Sequence, residues 1–416
     1  DLQGEKVKRN FISMIENGER GLSKETARFI AYRFNNKAKE LGIDLLVDDE
    51  YLLMTKEDEA RQYCLDKLNQ DINLIDLEQI IEISVKYEFI DIVAYALLVK
   101  GNLYFNDKDY SMALFFYIQS LSKYGYINDK MQEAFLFNKL GLCKLNELYY
   151  NEALEFFNKA YSLAIINNDF MTRKNSCYNL ALCSRKLNML DKSIEFIDEF
   201  LSICDKNSEF TNYVYANVIK ANCYRELKEQ EIALNIYNQL LNHFKEFYDT
   251  NNSLIAYVYD NLGLLYADKM EYEKALTYLD LSQKIRTEVD IENLAKSLID
   301  KSNILVKQKK NYEALVLINL GIDMAKKYHD YEYELKGYYL LVEAYKELND
   351  DNKLEEIYLK ILGIIKEKRD YKAILNISNN LCLLYINNKK FIEANKLIES
   401  LLFWKRWDIF LKTSWI

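Results

Sequence analysis

One pattern recurs eight times along the chain at a spacing close to 40 residues, and such a chain folds as an array of like units. The stretches KGNLYFNDKDYSMAL, KLGLCKLNELYYNEAL and NLGLLYADKMEYEKAL share one frame. Gly101, Tyr104, Tyr110 and Ala113 define it; Gly141, Tyr150 and Ala153 repeat it, as do Gly263, Tyr266, Tyr272 and Ala275. Weaker copies centre on Ala181, Ala221, Ser302, Val342 and Cys382, so the intervals from position 101 onward are 40, 40, 40, 42, 39, 40 and 40. Each copy predicts a pair of antiparallel helices. A small residue on the first helix lets the second approach closely, and the Ala of the second fits the same contact. Aromatic side chains fill the space between neighbouring pairs, and stacking buries the apolar face that one pair cannot bury alone.

Composition supports long helices. The 416 residues include no proline and only 11 glycines, which removes the strongest helix breaker and argues against a turn-rich β-sandwich. Half the residues are hydrophobic, which excludes an intrinsically disordered chain. The opening DLQGEKVKRN lacks the apolar core of a secretory signal. The longest apolar run, Ile92 to Val99, spans 8 residues, far below the ~18 needed to cross a bilayer, so no membrane partner is expected. Seven scattered cysteines without a CxxC read as buried packing thiols in a reducing compartment, and the expected location is cytoplasmic.

The repeat resembles the tetratricopeptide repeat (TPR), whose pattern begins LG-x2-Y. Leu140–Gly141 and Leu262–Gly263 supply the LG, the closing proline is missing throughout, and the longer period fits longer helices. The resemblance covers roughly residues 80–400. It implies an all-α chain with a right-handed TPR-like α-solenoid of about eight helix pairs over residues 81–402.

Residues 1–43 have a different character. They carry nine Lys/Arg and six Asp/Glu, a net of +3 against −12 for the remainder. A basic head suits a polyanion, and the acidic body argues against nonspecific coating of DNA by the whole protein. Phe11, Ile12 and Ile15 form one apolar helix face, Gly18 fits a helix C-terminal cap, and Ser23 fits an N-cap. Ala27, Ile30, Ala31 and Phe34 follow at i, i+3, i+4, i+7. The plain alternative is an amphipathic helical pair capping the solenoid.

The string ISMIENGER resembles the recognition-helix signature of the Cro/repressor-type helix-turn-helix family, with Ile12, Ser13, Ile15, Glu16, Asn17 and Gly18 in the matching places. The resemblance implies that Lys8 to Asn17 form the helix that enters the major groove, with Lys8, Arg9, Asn10, Ser13 and Asn17 contacting a double-stranded DNA operator. It also implies that earlier helices of this domain precede Asp1, so that residues 1–43 hold a partial (truncated) domain. Residues 44–80 are expected to be a linker helix region.

A helix-turn-helix head on a long-period TPR body resembles the RNPP family of peptide-pheromone receptors and their Rgg relatives. The family implies a cytoplasmic homodimer whose TPR body binds a short signalling peptide and so controls operator binding, as in quorum sensing. In TPR geometry the first helix of each pair lines the concave wall. Positions two before the small residue give Asn179, Asn261 and Asn380; one after gives Asn102, Asn222 and Asn303; four after gives Arg185 and Arg225. An Asn row suits an extended peptide backbone because each amide both donates and accepts, and arginines suit a peptide carboxylate. Tyr215 and Tyr257, six before their small residues, are expected to wall side-chain pockets. The alternative for each Asn is a solvated helix face.

Enzyme motifs are missing. The two histidines, His243 and His329, have no Cys or Glu at zinc spacing, and no GxGxxG, Walker, HExxH or GxSxG string occurs. Neither a metal, a cofactor nor a catalytic site is expected. All three tryptophans lie at 404, 407 and 415, so residues 403–416 are expected to be an aromatic capping helix or a dimer contact. Two rivals stand beside the peptide-sensing regulator: a TPR protein-interaction adaptor, and a helix-turn-helix repressor whose TPR domain only dimerises.

Overall fold

A computed structural model of the chain describes residues 21–247, 252–367 and 371–401. Every regular element among them is helical, and the chain divides into two compact units, residues 1–143 and 144–416. The DNA-contacting candidates Lys8, Arg9, Asn10, Ser13 and Asn17, and the aromatic segment 403–416, lie outside the described residues.

The first unit holds α1 (Lys24–Glu40), α2 (Asp49–Leu53), α3 (Lys56–Leu68), α4 (Leu74–Lys86), α5 (Ile90–Asn106), α6 (Tyr110–Tyr126) and most of α7 (Lys130–Asn146). Ser23 caps α1, its hydroxyl accepting from the Thr26 N–H at 3.2 Å. Ala27, Ile30 and Ala31 are buried as expected, but the buried stripe runs on to Ala38 and leaves Phe34 38% exposed. The stretch 44–80 is more structured than a linker helix implies, since it contains α2, α3 and the start of α4. Thr55 and Asp58 form a reciprocal capping box at α3, and Cys64, Leu68, Leu77 and Ile80 share a core with Ile92 and Ala96 of α5.

The second unit continues with α8 (Tyr150–Ile166), α9 (Phe170–Lys186), α10 (Leu190–Ile203), α11 (Phe210–Glu226), α12 (Gln230–Phe247), α13 (Ser253–Asp268) and α14 (Tyr272–Val289). A 3-10 turn (Ile291–Asn293) leads into α15 (Leu294–Lys307), then α16 (Asn311–Lys327), α17 (Tyr331–Leu348), α18 (Asp351–Glu367) and α19 (Tyr371–Asn387); residues 391–401 are helical too. Helices α5, α7, α9, α11, α13, α15, α17 and α19 are the first members of the eight repeats. The fold is the TPR-like α-solenoid that the repeat predicted.

Two local devices generate this regularity. The first is the turn. Among the described residues, twelve non-glycine residues adopt left-handed φ, from Glu88, Lys108 and Asn128 to Lys389, mostly one every 20 residues. At Asn168 the pattern is plain: Asn168 N–H bonds the Ile165 carbonyl at 3.2 Å and Asp169 N–H the Ala164 carbonyl at 2.8 Å. This is a Schellman motif, which stops a helix without proline. Asp169 then caps the next helix, accepting from Thr172 N–H at 3.0 Å. The second device is close approach at small residues. A Cβ on Gly101 would stand 2.6 Å from the Tyr117 ring, and one on Gly263 would stand 2.7 Å from Leu279 Cγ. Their partners Ala113 and Ala275 are fully buried.

All seven cysteines are free, five of them buried. Among the described residues, no helix is long and apolar enough to cross a membrane, and no cluster of His, Cys, Asp and Glu is arranged to hold a metal.

Candidate functional site

The candidate site is built on the first helices of consecutive repeats in the second unit. α11 carries Tyr215, Asn222 and Arg225, α13 carries Tyr257 and Asn261, and α9 carries Asn179 and Arg185. A run of hydrogen bonds joins two of these helices. The Tyr237 hydroxyl on α12 donates to Asn222 Oδ1 at 2.9 Å, Asn222 Nδ2 donates to Asn261 Oδ1 at 2.7 Å, and Asn261 Nδ2 donates to the Tyr257 carbonyl at 2.7 Å. Asn222 and Asn261 are both buried, so these bonds satisfy amides that would otherwise be costly to desolvate. Each amide keeps one N–H beyond the run.

Tyr215 and Tyr257 meet edge to face, their ring centroids 5.2 Å apart. Burial raises both phenols, Tyr257 to about 12, so both hydroxyls stay neutral at physiological pH. The arginines differ. Arg185 directs Nε and Nη2 to a single Glu226 oxygen at 3.1 and 2.6 Å; burial works against its charge, but the carboxylate outweighs burial and raises its pKa. Arg225 stands 3.7 Å from Asp268 and 3.9 Å from Glu226, and its buried Nε has no hydrogen-bond partner. Arg225 is therefore the less committed donor of the two.

Farther along, a second polar layer joins α13 to α17. Arg286 of α14, 2% exposed, donates to Asp260 Oδ2 from Nε at 3.0 Å and Nη2 at 2.7 Å and also pairs with Asp290. Ser297 donates to the other Asp260 oxygen at 2.7 Å. A guanidinium this deep persists because two carboxylates satisfy it. Asp300, also buried, takes Lys336 and, at 3.4 Å, the Tyr333 hydroxyl. Lys186 at the end of α9 pairs with Glu332 at the start of α17 at 2.5 Å, linking positions 146 residues apart.

Thus Arg185, Tyr215, Asn222, Arg225, Tyr257 and Asn261 are brought together on α9, α11 and α13. Asn179 is buried on α9. Asn102 lies in the first unit, where it accepts from the Tyr117 hydroxyl at 2.8 Å. Asn303 and Asn380 are half-buried on α15 and α19, outside the hydrogen-bond run. The first unit also contains a cavity of about 390 Å³ beside Ile72, Leu74, Leu103 and Tyr104, which no predicted residue lines. Sequence reasoning did not name Lys296 and Lys336, which stand six residues before their small positions, the same offset as Tyr215 and Tyr257. It missed Asp260, Arg286 and Asp300 because burial of charge on an inner layer has no local sequence mark.

No known protein family's sequence profile matches the chain, and no curated protein matches it. Solved structures do. The apo form of the quorum sensor NprR from B. thuringiensis is similar over 83% of this chain and 98% of its own, with 20% identity and a TM-score of 0.52. NprR in complex with its cognate peptide NprX is similar over 85% of this chain and 98% of its own, with 20% identity and a TM-score of 0.50. At this identity the likeness establishes the fold.

Proposed function

We propose that this chain is a cytoplasmic transcriptional regulator whose TPR body binds a short signalling peptide and thereby controls operator binding by an N-terminal helix-turn-helix head. The observation that carries this reading is the wall on α9, α11 and α13, where donors, acceptors and two phenol rings converge on successive repeats. An extended peptide needs such alternation: amides for its backbone, a cation for a carboxylate, aromatic faces for its side chains. NprR, of like fold, has been solved with its cognate peptide, which supports the same ligand class here. The ISMIENG string and the +3 charge of residues 1–43 support the DNA-binding head, and a two-fold operator would call for a homodimer. Peptide binding would favour one curvature of the repeats and so change the spacing of two heads on half-sites.

A second reading, a repressor whose repeats only dimerise, is favoured by the bonding of Asn222 and Asn261 to each other. One experiment separates the two. Intact-mass spectrometry of the purified protein is expected to reveal a copurified oligopeptide, and a gel shift of promoter DNA near its gene is expected to change when that peptide is removed. A shift indifferent to any peptide would favour dimerisation alone, and no shift on any fragment would overturn both.

A further inference from the structure

The outer face of α6 differs from its counterparts in the repeats that follow. Fourteen and seventeen residues after the small position, the second repeat carries Glu155 and Asn158 and the third Glu195 and Asp198, all exposed. The same two places on α6 carry Phe115 and Ile118, 52% and 49% exposed. In no later repeat are both places apolar. Ser111, Ser122 and Gly125, also exposed, complete a line at 111, 115, 118, 122 and 125. These alternating steps of four and three residues are the spacing by which one helix lays a seam along another. None of the five side chains is charged.

Phe115 is held from below. Its ring meets Phe116 edge to face at 5.2 Å, and Phe116 stacks on Tyr104 at 5.3 Å. Phe115 is therefore an aromatic anchor whose ordering is already complete. Gly125 is helical, and a Cβ on it would meet only Glu133 Oε1 within 4 Å, at 3.8 Å. A glycine inside a helix costs stability relative to alanine, and nothing among the described residues crowds this one.

The line is complementary to itself when reversed. With a two-fold axis at Ile118, Ile118 lies on its own copy, Phe115 faces Ser122, and Ser111 faces Gly125. Met112 and Tyr126, exposed on the flank of the line, meet in the same arrangement. A parallel pairing would instead set Phe115 on Phe115 and leave a gap at Ser122. The large apolar side chains of this face expose on the order of 600 Å², and a stable interface buries ~800 Å² per partner. Ile75 of α4, exposed beside Tyr104 in the cavity wall, extends the apolar area toward that size.

We infer that α6 is the surface on which two copies of this chain meet, antiparallel, with Ile118 at the two-fold axis. The inference rests on the homodimer of the proposed function and gives it an interface; it does not depend on the peptide. A polyanion would require cations that the line lacks, so this face does not serve DNA.

The test uses the full 416-residue chain. Analytical ultracentrifugation at micromolar concentration is expected to show a dimer. Ile118→Glu sets two carboxylates at the axis and is expected to raise the dimer Kd at least about 100-fold, with unchanged circular dichroism. Ile118→Cys is expected to give a disulfide-linked dimer on a non-reducing gel, because side chains that face each other across the axis lie within bridging distance. Asn158→Cys, at the equivalent place on α8, is expected to give none. Ser122→Phe is expected to weaken the dimer at least about tenfold by meeting Phe115, and adding Phe115→Ser is expected to restore it. A misfolded variant would show no such rescue. A dimer that survives Ile118→Glu, or that gives no crosslink with Ile118→Cys, overturns the α6 pairing and leaves the homodimer standing. A monomeric wild type overturns both, and protection of the Ile118→Cys thiol from a maleimide would then assign the face to residues 1–20 or 402–416 of the same chain.

Discussion

The hydroxyl of Tyr237 donates to Asn222 Oδ1 at 2.9 Å, and 15 residues separate the two, as they separate Tyr117 and Asn102, bonded in the same way at 2.8 Å in the first unit. The two pairs show that a tyrosine on the second helix of a repeat can orient an Asn on the first, leaving its N–H groups to point elsewhere. In the fourth repeat both partners are almost wholly buried. Tyr237→Phe would leave an acceptor in the core without a donor, and urea unfolding is expected to show a loss of about 1–3 kcal/mol. Asn102 is only half-buried and within reach of water, so Tyr117→Phe is expected to cost about 0.5–1.5 kcal/mol. Equal losses would contradict the dependence on burial.

Glycines in these helices divide by what surrounds them. At Gly263 a Cβ would meet Leu279 Cγ at 2.7 Å and the Ala275 carbonyl at 3.2 Å, and Leu279 is fully buried. At Gly363, on α18, a Cβ would meet nothing within 4 Å. Gly263→Ala is expected to destabilise by about 1–3 kcal/mol, since overpacking exceeds the gain in helix propensity. Gly363→Ala is expected to stabilise by about 0.5–1 kcal/mol through propensity alone. Thermal or urea denaturation of the two variants gives opposite signs if both close approach and open space are as described.

Much of this was legible from the chain itself. Gly101, Gly263 and their partners Ala113 and Ala275 announced the helix pairs because close packing requires small side chains at fixed spacing. The turns were not legible. Lys108, Leu148 and Met270 adopt left-handed φ where glycine is the usual choice, so residue type carried no signal there. The Asn positions were found, but their bonding was not. Asn222 and Asn261 sit 39 residues apart on neighbouring repeats, and only the stacking of α11 on α13 shows that one amide donates to the other. Arg286 looked like an ordinary charged residue of a surface helix until Asp260 was placed against it.

Glu199 on α10 gives the chain a pH-dependent tie. It accepts from Arg173 Nε at 2.8 Å and from the Tyr161 hydroxyl at 2.9 Å. Burial tends to raise its carboxyl, but the bonds from Arg173 and Tyr161 prevail and hold it below the ordinary 4.5. A depressed folded value means that the unfolded chain binds the proton more readily. The stabilisation is therefore complete above 4.5 and is lost as pH falls through the folded value. Glu199→Gln is expected to lower stability by about 1 kcal/mol at neutral pH. Below pH 4.5 the urea midpoints of the two proteins should converge. A gap that stays constant across that range would show that the charge of Glu199 contributes nothing.

On the proposed DNA-binding reading, Arg9 is one of the residues that contact the operator. Arg9→Ala is expected to weaken operator binding by about 1–3 kcal/mol in a gel shift. If the contact is to a base edge, the loss concentrates on one operator position; if it is to a phosphate, it is uniform across sequences and lowers the salt dependence. Unchanged affinity would remove the recognition-helix assignment while leaving the TPR body untouched.

The Lys186–Glu332 pair joins distant repeats, yet its side chains are 27% and 48% exposed. Partly solvated ion pairs contribute little, so a double-mutant cycle on Lys186→Ala and Glu332→Ala is expected to give a coupling of about 0.2–1 kcal/mol. Raising salt to about 1 M should shrink it, because the Debye length then falls to about 3 Å. A coupling above about 3 kcal/mol, of the size seen when buried pairs are broken, would mean that α9 and α17 are locked together.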